Sequence, residues 1–310
     1  MGRYTARVQF RQLGANGPRI PAITFGAWPI GGGMGAVDEA TAVRTVQRAL
    51  DLGITAIDTA EAYRSSEALI GRAIRGRSRE ALFLATKVSR EPFDRARVRE
   101  ALENSLRALG TDYVDLLQLH RYPSDVPLVE AIEALLEAQA SGRARYVGVS
   151  NFTVEQMDAA AALGPIQSLQ PRFNVFDRGP ADDLIPYCRE HGIGVIVHSP
   201  LAKGLLTGKY RPGDVFPEDD ERSRFPRFQG EAFRRYLAAA DRLAEIAASK
   251  GGTLVQLAIA WTLAHPGVTS CIVGARSPDQ VEAHVGALDL ALTADDLAAI
   301  NRIAADATAS

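Results

Sequence analysis

The feature that most constrains the fold is a regular alternation of short apolar runs with amphipathic segments along most of the chain. The short runs favour buried strands, and the segments between them carry apolar residues at helical spacing. Eight strand–helix units can be counted. Strands are predicted at residues 22–25, 54–58, 81–87, 113–119, 144–150, 166–170, 192–197 and 269–273. Helices are predicted at residues 38–52, 66–75, 95–109, 127–139, 154–163, 181–191, 254–263 and 278–285.

This repeat predicts an α/β protein with a parallel sheet covered by helices. Eight units in a chain of 310 residues favour a closed (β/α)8 TIM barrel over an open sheet. Residues 8–21, centred on Asn16-Gly17, predict a β-hairpin that caps one end of the barrel. Residues 211–230 predict a long polar loop inserted after the seventh barrel strand. Because no linker interrupts the chain, residues 1–310 are expected to form a single domain.

Composition excludes several classes of function. The net charge of −2 gives no basic field that would attract nucleic acid or an anionic membrane. Two cysteines, Cys188 and Cys271, are too few for a disulfide framework or a four-ligand zinc site. The first 14 residues lack the apolar run of a signal peptide, and the longest apolar stretch, residues 254–264, is too short to span a bilayer. We therefore expect a cytoplasmic protein without a metal, and its oligomeric state stays open.

Polar side chains end six of the predicted strands, at intervals close to one strand–helix unit. They are Asp58, Lys87, His120, Ser150, Gln170 and His198. In a (β/α)8 barrel the carboxyl ends of the strands surround one mouth, where active sites lie. The sequence therefore predicts a ring of polar side chains around that mouth.

The first three of these residues, together with Tyr63, support a chemical argument. Asp58 and Lys87 end neighbouring strands and can pair, and Tyr63 follows closely enough to fold back over the lysine. An ammonium beside a phenol lowers the phenol pKa from its usual value of about 10. Tyr63 would then be a general acid for a carbonyl oxygen, with His120 beside it. The structural alternative is an ion pair with an aromatic side chain and a histidine that only pack nearby.

The motifs around these residues resemble those of the aldo-keto reductases, in the branch related to the potassium-channel β subunits. The matching segments are DTAEAY at residues 58–63, ATK at 85–87, LLQLH at 116–120, GVSNF at 148–152, SPLAKGLLTGKY at 199–210 and GARSPDQ at 274–280. They occur in the order of the family, and the resemblance extends from about residue 8 to residue 285.

This resemblance implies a barrel that binds NADP(H) across its mouth and transfers hydride reversibly between the nicotinamide and an aldehyde or ketone. It implies Asp58, Tyr63, Lys87 and His120 as the catalytic residues. Tyr63 would protonate the developing alkoxide, Lys87 and Asp58 would tune Tyr63, and His120 would orient the carbonyl group. The implied substrate is a small carbonyl compound or alcohol.

The resemblance also implies a set of cofactor-binding residues. Ser150, Asn151 and Gln170 match positions that bind the nicotinamide carboxamide. Arg276, at the start of a helix, suits the 2′-phosphate, and this favours NADP over NAD. The complete set is Ala27, Trp28, Ser150, Asn151, Gln170, His198, Ser199, Pro200, Leu201, Lys203, Lys209, Gly274, Arg276, Gln280 and His284.

The chain departs from the family pattern at three positions that matter for the cofactor. His198 replaces the aromatic residue that usually stacks on the nicotinamide, and Ala283 and His284 replace the Glu-Asn pair that commonly contacts adenine. These departures predict weaker NADPH binding than is usual for the family.

Residues 211–230 are expected either to cover the cofactor as a lid, with Arg222 or Arg224 on a phosphate, or to be a solvated charged loop.

Other readings of the sequence are weaker. An NADP-binding regulatory module that acts through a protein partner is the alternative function, but the complete set of four catalytic residues favours an enzyme. Metal-assisted lyase chemistry would need more carboxylates or histidines at the strand ends.

The glycine-rich residues 31–35 lack the spacing of a Rossmann fingerprint and predict a flexible loop at the mouth. The substrate pocket is expected to be lined by Trp28, Arg121, Tyr122 and Phe152.

Overall fold

Eight parallel strands close into a barrel in the computed structural model, which describes residues 8–218 and 220–308. Strands β3 to β10 follow one another around the barrel in chain order, and β10 pairs with β3 to close it. The TIM-barrel prediction is therefore confirmed. The strands are β1 (Phe10–Gln12), β2 (Arg19–Pro21), β3 (Ile23–Gly26), β4 (Ala56–Asp58), β5 (Phe83–Val88), β6 (Val114–Leu119), β7 (Ala144–Ser150), β8 (Ser168–Gln170), β9 (Gly194–Val197) and β10 (Val268–Gly274).

Ten α-helices surround the barrel in the described part of the chain. They are α1 (Glu39–Asp51), α2 (Ser66–Ala73), α3 (Arg95–Leu109), α4 (Leu128–Ala140), α5 (Val154–Ala161), α6 (Leu184–Glu190), α7 (Gly230–Ser249), α8 (Leu254–Ala264), α9 (Pro278–Val285) and α10 (Ala294–Thr308). The eight predicted helices correspond to α1–α6, α8 and α9. The sequence analysis did not predict α7 and α10, which pack against each other.

Local side chains set several helix ends. Asp38 accepts a hydrogen bond from the Thr41 backbone nitrogen at the start of α1. Thr153 and Thr253 form capping boxes with the glutamines three residues later, Gln156 and Gln256. Such caps satisfy backbone N–H groups that have no partner within the helix. These three helices, α1, α5 and α8, therefore begin where the sequence supplies a capping side chain.

The β1–β2 hairpin closes the amino-terminal end of the barrel. Its residues Leu13 and Ile20 are buried in a cluster with inward-facing strand residues such as Phe83 and Leu116. Gln167 donates a hydrogen bond to the Leu13 carbonyl oxygen at 2.9 Å, just before β8 begins. With this end filled by apolar side chains, the mouth at the carboxyl ends of the strands is the end available for a site.

Residues 1–7, 219 and 309–310 lie outside the described residues. The expectation that residues 1–310 form one domain stays a prediction, and the expectation about the first 14 residues falls partly on this undescribed segment. Among the described residues, no helix combines the length and apolar character that crossing a bilayer requires.

Candidate active site

The structure brings the six predicted strand-end residues to the same mouth of the barrel. Asp58, Ser150 and Gln170 are the last residues of β4, β7 and β8, and Lys87 is the next to last of β5. His120 and His198 follow β6 and β9 directly. Ser150 and Gln170 are also register partners in neighbouring strands. Strand register therefore accounts for the ring of polar side chains.

Asp58 and Lys87 form a buried ion pair at this mouth. Lys87 Nζ lies 2.5 Å from Asp58 Oδ1 and 2.9 Å from the Thr59 carbonyl oxygen. Gln170 Nε2 donates to the second carboxylate oxygen, Asp58 Oδ2, at 2.8 Å. Burial acts to lower the pKa of Lys87, but Asp58 and Tyr63 together outweigh it, and the pKa is raised. Lys87 is therefore a fixed positive charge beneath the mouth.

Tyr63 lies above this pair, between Trp28 and His120. Its hydroxyl is 3.4 Å from His120 Nε2, and its ring centroid is 5.2 Å from Lys87 Nζ. Burial is the largest influence on the pKa of Tyr63 and raises it, although Lys87 acts in the opposite direction. Lys87 does lower the pKa of Tyr63, as predicted, but the expected net fall in the pKa does not occur, because desolvation of the phenolate outweighs the nearby ammonium. Tyr63 is a protonated phenol at neutral pH.

His120 is held by a hydroxyl group on its other side. Its Nδ1 lies 2.6 Å from Ser89 Oγ, while Nε2 faces the Tyr63 hydroxyl. Burial, together with the charge of Lys87, lowers the pKa of His120 to about 3. The ring is therefore neutral at physiological pH. Sequence reasoning missed Ser89, although a polar residue directly after β5 is a signal of the same kind as the other strand ends.

The three residues predicted to bind the carboxamide are joined by hydrogen bonds. Ser150 Oγ donates to the Gln170 carbonyl oxygen at 2.8 Å, and Asn151 Nδ2 lies 3.1 Å from both Ser150 Oγ and the His120 carbonyl oxygen. Asn151 has a φ of 59°. Non-glycine residues with positive φ are strained and concentrate at ligand sites. The described ones are Arg64, Asn151, Ser199, Ala202 and Lys203, and all but Arg64 lie in the loops after β7 and β9.

Cations gather where the loop after β9 meets the start of α9. Lys209 lies near Arg222 and Arg276, and its pKa is lowered by partial burial and by these two charges. Within the part of the chain that the structure describes, no carboxylate pairs with Lys209 or Arg276. Lys203 differs, because its ammonium lies 2.7 Å from Glu221. Unneutralised cations at the edge of a cleft favour an anionic ligand.

A buried donor adds to this cationic region. Arg172 Nε has no hydrogen-bond partner among the described residues, and its side chain lines a small pocket with Ser199 and Lys203. A buried polar group without a partner needs an explanation, such as a ligand that supplies the missing acceptor. Sequence reasoning missed Arg172, which lies two residues beyond the predicted Gln170.

The remaining predicted cofactor residues flank these groups. Arg276 donates to the Ala36 carbonyl oxygen at 2.7 Å, and its backbone nitrogen donates to Gln280 Oε1. Gln280 is exposed, whereas His284, one helical turn further on, is buried. Ala27 and Pro200 are buried, and Trp28, Leu201 and Gly274 are partly buried. His284 therefore lies on the buried side of α9, whereas Arg276 and Gln280 are exposed.

Residues 211–229 are anchored to the barrel in the described part of this segment. Arg227 makes two hydrogen bonds to the Asp177 carboxylate, and Glu221 pairs with Lys203. Phe216 and Phe228 pack edge to face in an aromatic cluster with Tyr210. These contacts argue against a merely solvated loop. Arg222 is bonded to Asp220 and to the Tyr210 hydroxyl, and Arg224 is exposed.

The glycine-rich loop at residues 31–35 packs closely on the site. A Cβ on Gly31 would lie 2.1 Å from the Tyr63 carbonyl oxygen, and a Cβ on Gly33 would lie 2.1 Å from the Trp28 ring. The glycines therefore permit close approach. The segment thus packs on Trp28 and Tyr63, and its flexibility stays a prediction.

The predicted pocket residues differ in their exposure. Tyr122 packs edge to face against Phe152, which is only 2% exposed. Arg121 is exposed, and its guanidinium lies 3.0 Å from Glu91. Trp28 packs against Tyr63 with ring centroids 5.0 Å apart. Of this group, Trp28 thus packs directly on a candidate catalytic residue, Tyr63.

Comparison with known proteins agrees with this geometry. The Aldo/keto reductase family model matches residues 22–305. The chain is 38% identical to aldo-keto reductase YhdN of Bacillus subtilis, covering 96% of this chain and 93% of that protein. It is 33% identical to L-glyceraldehyde 3-phosphate reductase of Escherichia coli O157:H7, over 98% of this chain and 94% of the other. It is also 33% identical to a probable voltage-gated potassium channel subunit beta of Arabidopsis thaliana, over 91% and 92%.

The fold has solved counterparts of the same kind. Glycerol dehydrogenase AKR11B4 from Gluconobacter oxydans superposes with a TM-score of 0.87 at 34% identity, covering 96% of this chain and 95% of that one. The chain is therefore an oxidoreductase, and it belongs to the aldo/keto reductase family, whose members use nicotinamide cofactors. The resemblance read from the motifs is confirmed.

Proposed function

We propose that this protein reduces an aldehyde or ketone to an alcohol with NADPH, reversibly, and that Tyr63 exchanges the proton. The observation that carries the proposal is the placement of Tyr63, whose hydroxyl lies 3.4 Å from His120 Nε2 and whose ring centroid lies 5.2 Å from Nζ of the buried Lys87, itself paired with Asp58. The raised pKa of Tyr63 and the lowered pKa of His120 agree with a protonated phenol beside a neutral imidazole. A phenol that is held protonated and faces an open mouth is suited to donate a proton to a carbonyl oxygen.

The donor set at the mouth fits a dinucleotide with a phosphorylated ribose. Ser150, Asn151 and Gln170 offer hydroxyl and amide groups that suit a neutral carboxamide. Lys209, Arg276 and Arg172 offer positive charge and donors for phosphates, and Arg172 Nε has no partner among the residues that the structure describes. Arg276, two residues before α9 begins, is the residue on which we base the preference for NADP over NAD. When bound, this cofactor supplies the hydride.

Each protein group then has a role in handling the proton. The Tyr63 hydroxyl donates to the substrate oxygen as negative charge develops there, and Lys87 stabilises the phenolate that remains. Asp58 keeps Lys87 charged and in position. His120, with Ser89 on Nδ1, donates from Nε2 to the same oxygen and so orients the carbonyl group. The reverse reaction uses the Tyr63 phenolate as the base.

The substrate class we propose is a small polar carbonyl compound. Relatives named for L-glyceraldehyde 3-phosphate and for glycerol support this choice. Arg121, exposed beside the mouth, would favour an anionic substituent if it leaves Glu91. Comparing a neutral aldehyde with its phosphorylated analogue tests this point, and equal KM values would remove Arg121 from the substrate site.

The experiment that tests the function combines binding with turnover. Fluorescence titration should show NADPH binding more tightly than NADH, and a panel of small aldehydes should then consume NADPH over many turnovers. We expect the NADPH dissociation constant to be larger than is usual for the family, because Ala283 and His284 replace the adenine contacts. A nanomolar dissociation constant would contradict this expectation. Binding without turnover of any aldehyde or ketone would overturn the enzyme proposal and favour a regulatory module.

A further inference from the structure

His198 makes two hydrogen bonds that an aromatic residue at this position would lack. Its Nε2 lies 2.9 Å from Asn151 Oδ1, and its Nδ1 lies 2.9 Å from Ser199 Oγ. We propose that His198 is a positioning residue that fixes the Asn151 amide by donating a hydrogen bond, and does not act through ring stacking. The inference rests on the proposed function, because Asn151 belongs to the carboxamide site.

The neighbouring groups determine which histidine nitrogen carries the proton. Asn151 Nδ2 lies 3.1 Å from the His120 carbonyl oxygen, which can only accept a hydrogen bond. Asn151 Oδ1 therefore faces His198, and Nε2 must be the donor. The other nitrogen, Nδ1, then accepts from the Ser199 hydroxyl. Burial, together with Arg172, lowers the pKa of His198 to about 3, which agrees with a neutral ring.

These bonds connect three loops around the mouth. Ser199 and His198 follow β9, Asn151 follows β7, and the His120 carbonyl oxygen follows β6. Asn151 and Ser199 both have a φ of 59°, a conformation that must be held by surrounding contacts. Without the donor on His198, the Asn151 amide loses the bond that fixes its oxygen, and its orientation toward a carboxamide is no longer unique.

Two substitutions separate hydrogen bonding from stacking. His198→Phe keeps an aromatic ring and removes both hydrogen bonds. His198→Gln removes the ring but keeps an amide N–H near the place of Nε2. NADPH carrying deuterium on one or the other face of nicotinamide C4 reports how the ring is held, because a fixed carboxamide presents a single face to the substrate.

We expect deuterium transfer from one face only in the wild type and in His198→Gln, and transfer from both faces in His198→Phe. The NADPH dissociation constant of His198→Phe should rise about tenfold, as for the loss of one hydrogen bond. The dissociation constant of adenosine 2′,5′-bisphosphate, which lacks the nicotinamide, should stay unchanged in both variants, and this shows that they fold.

The reverse ranking of His198→Phe and His198→Gln would overturn the inference. If His198→Phe binds NADPH as tightly as the wild type and keeps single-face transfer while His198→Gln does not, stacking is what matters. If both variants match the wild type, His198 has no positioning role. If the wild type reduces no carbonyl compound, the proposed function fails instead. The role of His198 is then decided by the NADPH dissociation constants of His198→Phe and His198→Gln, each compared with that of the wild type.

Discussion

Lys87 Nζ lies 2.5 Å from Asp58 Oδ1, with the lysine 1% and the aspartate 3% exposed. An ion pair so far from solvent is stable only if its remaining polar groups are also satisfied. Thr59 and Gln170 satisfy them here, through the Thr59 carbonyl oxygen and Gln170 Nε2. The pair is therefore held rigidly in place, and it keeps the Lys87 ammonium close to the Tyr63 ring.

Replacing the carboxylate should destabilise the protein. Asp58→Asn leaves the Lys87 ammonium buried without a counter-charge, and we expect the free energy of unfolding to fall by about 3 kcal/mol. Urea unfolding measures this change. Glu231→Gln is the control, because it breaks the Arg234–Glu231 pair, whose side chains are 61% and 68% exposed. That variant should unfold as the wild type does, and equal losses for the two variants would show that burial of the Asp58 pair is unimportant.

The reductive reaction should depend little on pH near neutrality. The raised pKa of Tyr63 keeps the proton donor protonated at higher pH, and the pKa of His120, lowered to about 3, keeps its ring neutral at lower pH. We expect kcat for reduction to be flat from about pH 5 to about pH 9. Alcohol oxidation needs the phenolate and should accelerate as the pH rises. A reductive kcat that falls on both sides of neutrality would contradict these protonation states.

Arg276 should distinguish NADPH from NADH. Its guanidinium has no carboxylate partner among the described residues and lies near Lys209. Arg276→Gln removes a charge-assisted contact, so we expect the NADPH dissociation constant to rise about tenfold or more while that of NADH stays the same. Arg302→Gln, an exposed arginine on α10, is the matched control. A parallel rise for both cofactors would place Arg276 away from the 2′-phosphate.

Gly31 should tolerate no side chain. A Cβ there would lie 2.1 Å from the Tyr63 carbonyl oxygen, and this backbone atom cannot move without moving Tyr63. We expect Gly31→Ala to lower kcat by about tenfold or more and to reduce thermal stability. Gly179→Ala is the control, because open space surrounds that position. Wild-type kcat in Gly31→Ala would mean that the glycine-rich loop does not hold Tyr63.

Much of the site follows from periodicity in the sequence. Neighbouring parallel strands bring their carboxyl ends to one mouth, so Asp58, Ser150 and Gln170 could be located from strand ends alone. The direction of the Tyr63 pKa could not, because it depends on how completely the ring is desolvated. Glu221 likewise lies far from Lys203 in the chain, and their ion pair can be predicted only when the path of the inserted segment is known.

The two unpredicted helices have a different explanation. Helix α7 carries an apolar stripe that includes Phe233, Leu237 and Leu243, so its helical periodicity was readable. It was missed because only segments that alternate with strands were assigned as helices, and α7 and α8 follow one another without an intervening strand. Repeat counting therefore finds the barrel but overlooks helices added outside it.

The most direct test of the central proposal is the turnover of Tyr63→Phe, which removes one hydroxyl and keeps the ring between Trp28 and His120. NADPH binding, by fluorescence titration, and the loss of NADPH absorbance with an aldehyde should be measured on Tyr63→Phe and on the wild type. We predict unchanged NADPH binding and a fall in kcat of about a hundredfold or more. Carbonyl reduction at the wild-type rate would contradict the assignment of Tyr63 as the proton donor.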